Sequence, residues 1–131
     1  MSAAATAVQA ALASALRGHP PLANEASGIF LGPPVRAAYP YVAIGSAVSG
    51  DWSHKTASGR EHRLTVSLWD GDAARAMRLS GEIETAIEAM DRGLDGHRIV
   101  SLTLVRTRML RERGDGPWAG IVEYRARTLA D

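Results

Sequence analysis

The chain has 131 residues, 46% of them hydrophobic, and its 15 Lys and Arg residues nearly balance its 14 Asp and Glu residues. This length predicts one domain around a single core, and the balanced charge gives no global electrostatic reason to expect nucleic acid or an acidic membrane as partner. The absence of cysteine excludes disulfides and thiolate metal sites and permits a cytoplasmic location. We find no segment long enough to span a membrane and no signal peptide.

The first predicted element is a helix that follows Ser2 and ends before Gly18. Ser2 can cap its N-terminus, and Val8, Leu12 and Leu16 recur four residues apart on one face. Gly18 and the two prolines that follow it end the helix. The narrow, alanine-lined face suits close packing against a sheet, and it would also suit a helix of another subunit.

Two strands and a polar segment are predicted next. Residues 29–31 allow a short strand within a connecting loop, and residues 41–44 form an apolar run suited to a full strand. Residues 46–60 are polar, so they form either a long loop or the flexible end of a hairpin. An exposed tryptophan there favours contact with a partner. The side chains of this segment that could make such a contact are Asp51, Trp52, His54, Lys55 and Arg60.

Residues 59–69 predict the strand around which the chain is organised. Three apolar residues alternate strictly with three polar ones, as in a strand with one buried face and one face in water. The apolar residues are Leu64, Val66 and Leu68, and the polar residues are Arg63, Thr65 and Ser67. We expect this strand in the centre of an antiparallel sheet, with His62 on its solvent-facing side.

The main helix is predicted over about residues 73–90. Apolar residues from Ala76 to Met90 follow at spacings of three and four, and Asp70-Gly71-Asp72 offers an N-cap. Gly93 closes the helix. Three outward-facing glutamates, Glu82, Glu84 and Glu88, form an ordinary solvated face.

Two long strands end the chain, at residues 99–110 and 118–128, with a turn at residues 114–116. A two-residue loop would place Leu102 and Leu104 opposite arginines and so mix the core and solvent faces. We therefore favour an odd-length loop, or a bulge with the same effect, that places these leucines beside Ala126 and Tyr124.

Beyond Leu104 the apolar face of the first of these strands continues into Arg106 and Arg108. Charged side chains cannot be buried against the main helix without partners, so we expect the tip of this hairpin to project past the core as an arm. Arg111 and Arg113 add to its positive charge. Guanidinium groups suit carboxylates at protein interfaces.

The residues reveal no catalytic or metal-binding constellation. Asp51, His54 and His62 are the only cluster that resembles metal ligands, and their spacing fits no standard pattern. A nucleophile elbow and a glycine-rich phosphate loop are both missing. Residue chemistry alone thus indicates a small soluble α+β domain. It leaves open a ligand-binding or enzymatic domain, which would need a pocket with convergent polar groups, and a nucleic-acid-binding module, whose affinity would fall with salt.

Several segments taken together resemble the siphophage tail-completion family, the tail terminator proteins that also occur in prophages and gene transfer agents. In chain order the segments are Pro33-Pro34 with Tyr39 to Gly45, Trp52 with Gly59 and Glu61-His62, Leu68-Trp69, Leu94 to Arg98, Arg108 to Asp115, and Gly120 to Ala126. They span nearly the whole chain in the family's order. The chain departs from the family before Pro33, where Leu31-Gly32 replaces an expected acidic or polar residue in a loop.

The resemblance implies a single α+β domain over residues 1–131, in which an antiparallel sheet of about four strands carries two helices on one face, in the order α-β-β-α-β-β. It implies a structural virion protein without cofactor. Six copies would form a ring that caps the head-proximal end of the tail tube, ends tube polymerisation and joins the tail to the head. The implied partners are further copies of the chain, the tail tube protein and the head–tail connector protein, with no membrane and no nucleic acid except DNA passing through the ring. Residues 46–60 and the arm from Arg106 to Arg113 are the expected contact surfaces.

Overall fold

The computed structural model describes residues 2–131, which form three helices and six strands. The helices are α1 (Ala3–Arg17), α2 (Pro20–Ala23) and α3 (Ala73–Glu88). The strands are β1 (Ile29–Leu31), β2 (Tyr41–Ile44), β3 (Val48–Asp51), β4 (Gly59–Asp70), β5 (His97–Arg111) and β6 (Trp118–Ala130).

All six strands belong to one sheet, in the order β1-β2-β4-β6-β5, with β3 paired to β4 as well. β2 and β3 share one side of β4, because β2 pairs with its second half and β3 with its first half. The α+β class and the central position of β4 are confirmed. The expected counts of about four strands and two helices are too low, and β1 runs parallel to β2 rather than antiparallel.

The three additional elements are short and carry weak sequence signals. The polar segment at residues 46–60 does form the end of a hairpin, since β3 pairs antiparallel with β4 through backbone hydrogen bonds that need no apolar side chains. Pro20 lies in the first turn of α2, where its missing N–H costs nothing. The prolines that end α1 therefore also begin the next helix.

The N-terminal caps of the two long helices match the sequence pattern, whereas α3 ends at Glu88 with Ala89 as its C-cap, so the expectation that Gly93 closes it is wrong. Ser2 Oγ accepts a hydrogen bond of 3.1 Å from Ala5 N at the start of α1, and Gly18 follows its last residue. Asp72 Oδ1 accepts one of 3.3 Å from Ala74 N at the start of α3. These contacts satisfy donors that a helix N-terminus otherwise leaves unpaired.

The core lies between the helices and one face of the sheet. Leu64, Val66 and Leu68 of β4 point into it and are at most 4% exposed, as the strict alternation predicts. From α3, Leu79 and Ile83 pack against them without any exposure. The opposite face of the sheet carries no helix within residues 2–131, so only one face of the sheet is covered.

The predicted register of the last two strands is confirmed, and a bulge produces it. Leu102 lies opposite Ala126 and Leu104 opposite Tyr124. The connecting segment between Arg111 and Trp118 is even in length, and the register shifts between Leu104 and Arg106. A one-residue shift exchanges the two faces of a strand. The residues of β5 after the bulge therefore lie on the face opposite to the one that simple alternation from Leu104 would assign to them.

The expectation of an arm that projects past the core is wrong for most of its length. β5 and β6 stay paired as far as Arg111 and Trp118, and Trp118 also lies opposite Asp70 at the end of β4. Only residues 112–117 extend beyond the last pair. The bulge turns Arg106 and Arg108 onto the uncovered face of the sheet, so they remain in water without leaving the sheet.

A buried ion pair fixes the junction between β4 and α3. Asp70 is fully buried, and both of its carboxylate oxygens accept hydrogen bonds from Arg75, at 2.6 Å from Nε and 2.8 Å from Nη2. The hydrogen bond from Arg75 lowers the pKa of Asp70. The two-oxygen geometry holds the first turn of α3 against the end of the strand.

Replacing Arg75 with alanine should leave the Asp70 carboxylate buried without its counterion. We expect a melting temperature lower by more than about 5 °C. The matched control is Arg78→Ala, which removes an equally close but exposed pair with Glu25 from the same helix. It should shift the melting temperature by less than about 2 °C. Equal losses in thermal melts of the two variants would contradict this account.

Candidate interaction surfaces

The uncovered face of the sheet is the main surface available for contacts, and we call it the open face. It carries the side chains of β4 and β6 that alternate with the core residues, together with the residues of β5 that lie opposite them. Its charged residues are Glu61, Arg63, Arg98, Arg106, Arg108, Glu123, Arg125 and Arg127. These strands thus contribute six arginines and two glutamates, and the surface is net positive although the whole chain is nearly neutral.

Two ion-pair systems cross the open face. Arg127 Nε lies 2.9 Å from Glu61 Oε2, and this hydrogen bond lowers the pKa of Glu61. Arg106 Nε lies 3.0 Å from Glu123 Oε1, and Arg108 Nη2 lies 3.9 Å from the same oxygen. Both glutamates are thus already occupied by arginines of their own chain.

Arg63 and Arg125 are the arginines left over. They lie directly opposite each other on β4 and β6, an arrangement that is unfavourable for like charges. Neither makes an ion pair within residues 2–131, and Nε of Arg125 is buried without a hydrogen-bond partner there. We call these two residues the arginine pair.

An aromatic cluster occupies the end of the open face near β1 and β2. The Tyr41 ring stacks between Tyr39, at 5.9 Å, and Trp69, at 6.4 Å between ring centroids. Phe30 meets Tyr41 edge-on at 6.2 Å. Tyr39 remains 48% exposed, which gives this end of the face an accessible aromatic edge.

The predicted contact residues of segment 46–60 lie around the hairpin of β3 and β4. Trp52 is half-buried rather than exposed, because its ring packs under the Arg127 guanidinium, 5.1 Å from the ring centroid, and against His54. Asp51 accepts a hydrogen bond from Ser53 at 2.7 Å. Lys55 and Arg60 are exposed.

The predicted contact residues of the arm lie at the other end of the sheet. Arg111 stacks over Trp118 at 5.1 Å from its ring centroid and donates to the Gly116 carbonyl oxygen at 3.2 Å. Arg113 is exposed with a positive φ of 65°. The structure therefore separates the two predicted surfaces, since β3 pairs with the start of β4 whereas the turn at 112–117 lies beyond its end.

The expectation that His62 lies on the solvent-facing side of its strand is wrong. Its side chain is 2% exposed and points into the covered face, where Nε2 lies 2.8 Å from Thr128 Oγ1. Asp51 and His54 are exposed in the neighbouring hairpin, so the three residues form no cluster. Within residues 2–131 no group of three or more His, Asp or Glu side chains could hold a metal ion.

One groove on the surface of residues 2–131 has a mainly apolar lining. It has a volume of about 780 Å³, runs along α1 and is lined mainly by Ala3, Ala7, Ala10 and Ala11, with Asp95 as its one carboxylate. Such a lining provides no convergent polar groups. In the part of the chain that the structure describes, no helix is long and apolar enough to cross a membrane.

Residues 2–131 thus define a class of fold, an α+β domain whose single sheet has one face covered by helices and one open, charged face. Comparison with known proteins agrees. A family described as "Tail completion protein gp17" matches residues 3–129. The chain belongs to this tail-completion family, whose members are structural phage proteins rather than enzymes. A search of curated proteins finds no match to the chain.

Several solved structures share the fold, among them the following two. A chain from "Virion of native gene transfer agent (GTA) particle" is 26% identical, with a TM-score of 0.84 over 99% of this chain and 100% of that chain. "Structure of bacteriophage SPP1 gp17 protein" is 21% identical, with a TM-score of 0.68 over 95% of this chain and 91% of that chain. The sequence-based resemblance to the family is thereby confirmed.

The buried His62 should make the stability of the protein depend on pH. Burial lowers its pKa, and the charges of Arg60 and His97 lower it further. The unfolded chain, where His62 has a pKa near 6.5, then binds more protons than the folded one. This contribution should be lost as the pH falls below about 6.5, and it should be present above that value.

Urea unfolding at pH 7.5 and pH 5.5 measures this effect. We expect the loss of unfolding free energy on acidification to be smaller in His62→Gln, whose amide can still reach Thr128, than in the unchanged protein. The exposed histidine variant His54→Gln is the control and should behave as the unchanged protein does. A loss of the same size in His62→Gln would show that His62 is not the responsible group.

Proposed function

We propose that the protein caps the head-proximal end of a phage-like tail tube as a ring of six copies. The ring ends tube polymerisation and presents a surface to the head connector. The observation that carries this proposal is the match of the whole chain to a chain of a gene transfer agent particle, together with its membership of the tail-completion family. The protein is then a component of the finished particle.

The arrangement of the surfaces supports this role. The hairpin around residues 46–60 and the turn at residues 112–117 lie at opposite ends of β4. A capping protein needs separate contact regions for its neighbours in the ring, for the tube and for the connector. Two separated charged loops and a net positive sheet face provide such regions on one small domain.

The contacts proposed here depend on shape and charge rather than on covalent chemistry. Arg108 and Arg111 are exposed, and each uses only part of its hydrogen-bonding capacity within its own chain. A guanidinium group carries five N–H donors in a planar fork, which matches a carboxylate of a partner protein. Arginine and exposed tyrosine are also enriched at protein interfaces.

Deletion of the gene tests the function itself. Without the cap, the tail tube should continue to polymerise and the heads should remain unjoined. Electron microscopy of particles from the deletion strain should show overlong or irregular tubes, and expression of the protein from a plasmid should restore tail length. Particles of normal length with heads attached would overturn the proposal.

The double variant Arg108→Glu/Arg111→Glu tests the edge of β5 as a contact surface. We expect it to fold, because both side chains are exposed, but to fail to join tails to heads. Its control is Arg17→Glu/Arg36→Glu, which makes the same change of charge at exposed arginines outside β5 and the open face. Thermal melts check the folding of both variants. If the first variant joins heads as well as the control does, the edge of β5 makes no essential contact.

A further inference from the structure

The arginine pair on the open face lacks a counterion in a single copy. Arg63 and Arg125 lie opposite each other, and both glutamates that are near them on this face already bind other arginines. The buried Nε of Arg125 has no acceptor within residues 2–131. A buried donor without a partner costs free energy, so this place on the sheet is suited to receive a carboxylate from outside the chain.

A matching surplus of negative charge lies on α3, on the other side of the molecule. Glu84 and Glu88 are one helical turn apart, a spacing at which like charges repel. Neither forms an ion pair within the described residues, whereas Glu82 next to them binds His19. Glu88 accepts one hydrogen bond of 2.9 Å from the Tyr124 hydroxyl. We call Glu84 and Glu88 the glutamate pair.

The two pairs point in opposite directions. α3 packs on the covered face of the sheet and carries the glutamate pair on its flank toward β5, where Glu84 lines a groove with Arg108 and Glu88 reaches the Tyr124 hydroxyl. The arginine pair lies on the open face behind the sheet. They therefore cannot meet within one copy. They can meet between two copies that are stacked front to back, and a contact between two different surfaces of identical chains generates a ring when its rotation closes.

We propose that the flank of α3 that carries the glutamate pair in one copy docks on the open face of the next, with the glutamate pair against the arginine pair. This inference rests on the proposed ring of copies and names its interface. The docked helix covers the sheet face that a single copy leaves in water. The mixture of glutamates with arginines on the open face favours a protein partner over a DNA backbone, which would repel Glu61 and Glu123.

Cysteine crosslinking in assembled particles tests the contact directly, because the chain has no cysteine of its own. Thr103 is exposed on β5 directly opposite Arg125, and Gly81 is exposed on α3 one turn before Glu84. A side chain at Gly81 meets nothing within 4 Å. We expect oxidised particles of the Gly81→Cys/Thr103→Cys variant to give a ladder of disulfide-linked copies, whereas each single variant gives none.

Exchanging the charges provides an independent test. Arg63→Glu/Arg125→Glu and Glu84→Arg/Glu88→Arg should each reduce the number of copies retained per particle at least about tenfold. The chain that carries all four changes should regain most of that loss, because its charges are again complementary. Arg36→Glu, at an exposed arginine of a distant loop, should retain the normal number. Thermal melts confirm that each variant is folded.

The outcomes separate this inference from the proposed function. A ladder, or recovery of binding by the four-fold exchange, supports the interface. If neither occurs while the deletion strain still makes overlong, unjoined tails, the interface is wrong and the capping function stands. Disulfide-linked dimers from Thr103→Cys alone would indicate a symmetric contact and would also overturn it. If the protein is missing from particles and its deletion has no effect, both proposals fall.

Discussion

The pairing of β4 with β6 is the constraint on which the rest of the molecule depends. All twelve residues of β4, from Gly59 to Asp70, have a partner in β6. Because side chains alternate along both strands, this single register decides which residues enter the core and which face water. It places Leu64 beside Tyr124 in the core and, one residue away, Arg63 beside Arg125 on the open face. The register between β4 and β6 thus determines both the core and the charged surface.

At the edge of the sheet, the bulge after Leu104 changes which side chains of β5 face the core and which lie on the open face. The register shifts once between Ile99 and Ser101 and again between Leu104 and Arg106. After the second shift Arg106 pairs with Glu123 on the open face while Met109 turns toward α3. Without the shift, Arg106 would point toward the helix layer, where a charge without a partner is costly. A bulge on an edge strand also hinders pairing with a further strand. The positive charge of the surface therefore follows from backbone geometry as much as from composition.

Sequence patterns predicted those elements that bury one face and expose the other. Strict alternation located β4, and caps with periodic apolar residues located α1 and α3, because each of these buries one face. β3 and α2 were missed, since backbone pairing and a proline in the first turn leave little apolar pattern. The exposed arginines of β5 could be named from sequence, but the arginine pair required the register between β4 and β6. His62 was misplaced for a different reason: it lies two residues before Leu64, so the alternation along β4 already assigns it to the buried face, and only its contact with Thr128 required the structure.

The placement of charge bears on the symmetry of any self-assembly. In a two-fold dimer that joined the open faces, the arginine pairs of both copies would meet without additional carboxylates, since Glu61 and Glu123 are already occupied. A dimer that joined the flanks of α3 that carry the glutamate pairs would likewise oppose glutamates. Both symmetric contacts are disfavoured by like charges, whereas a front-to-back contact is complementary. Surfaces of opposite sign on opposite sides of one sheet thus favour a directional repeat, which is the geometry that a closed ring requires.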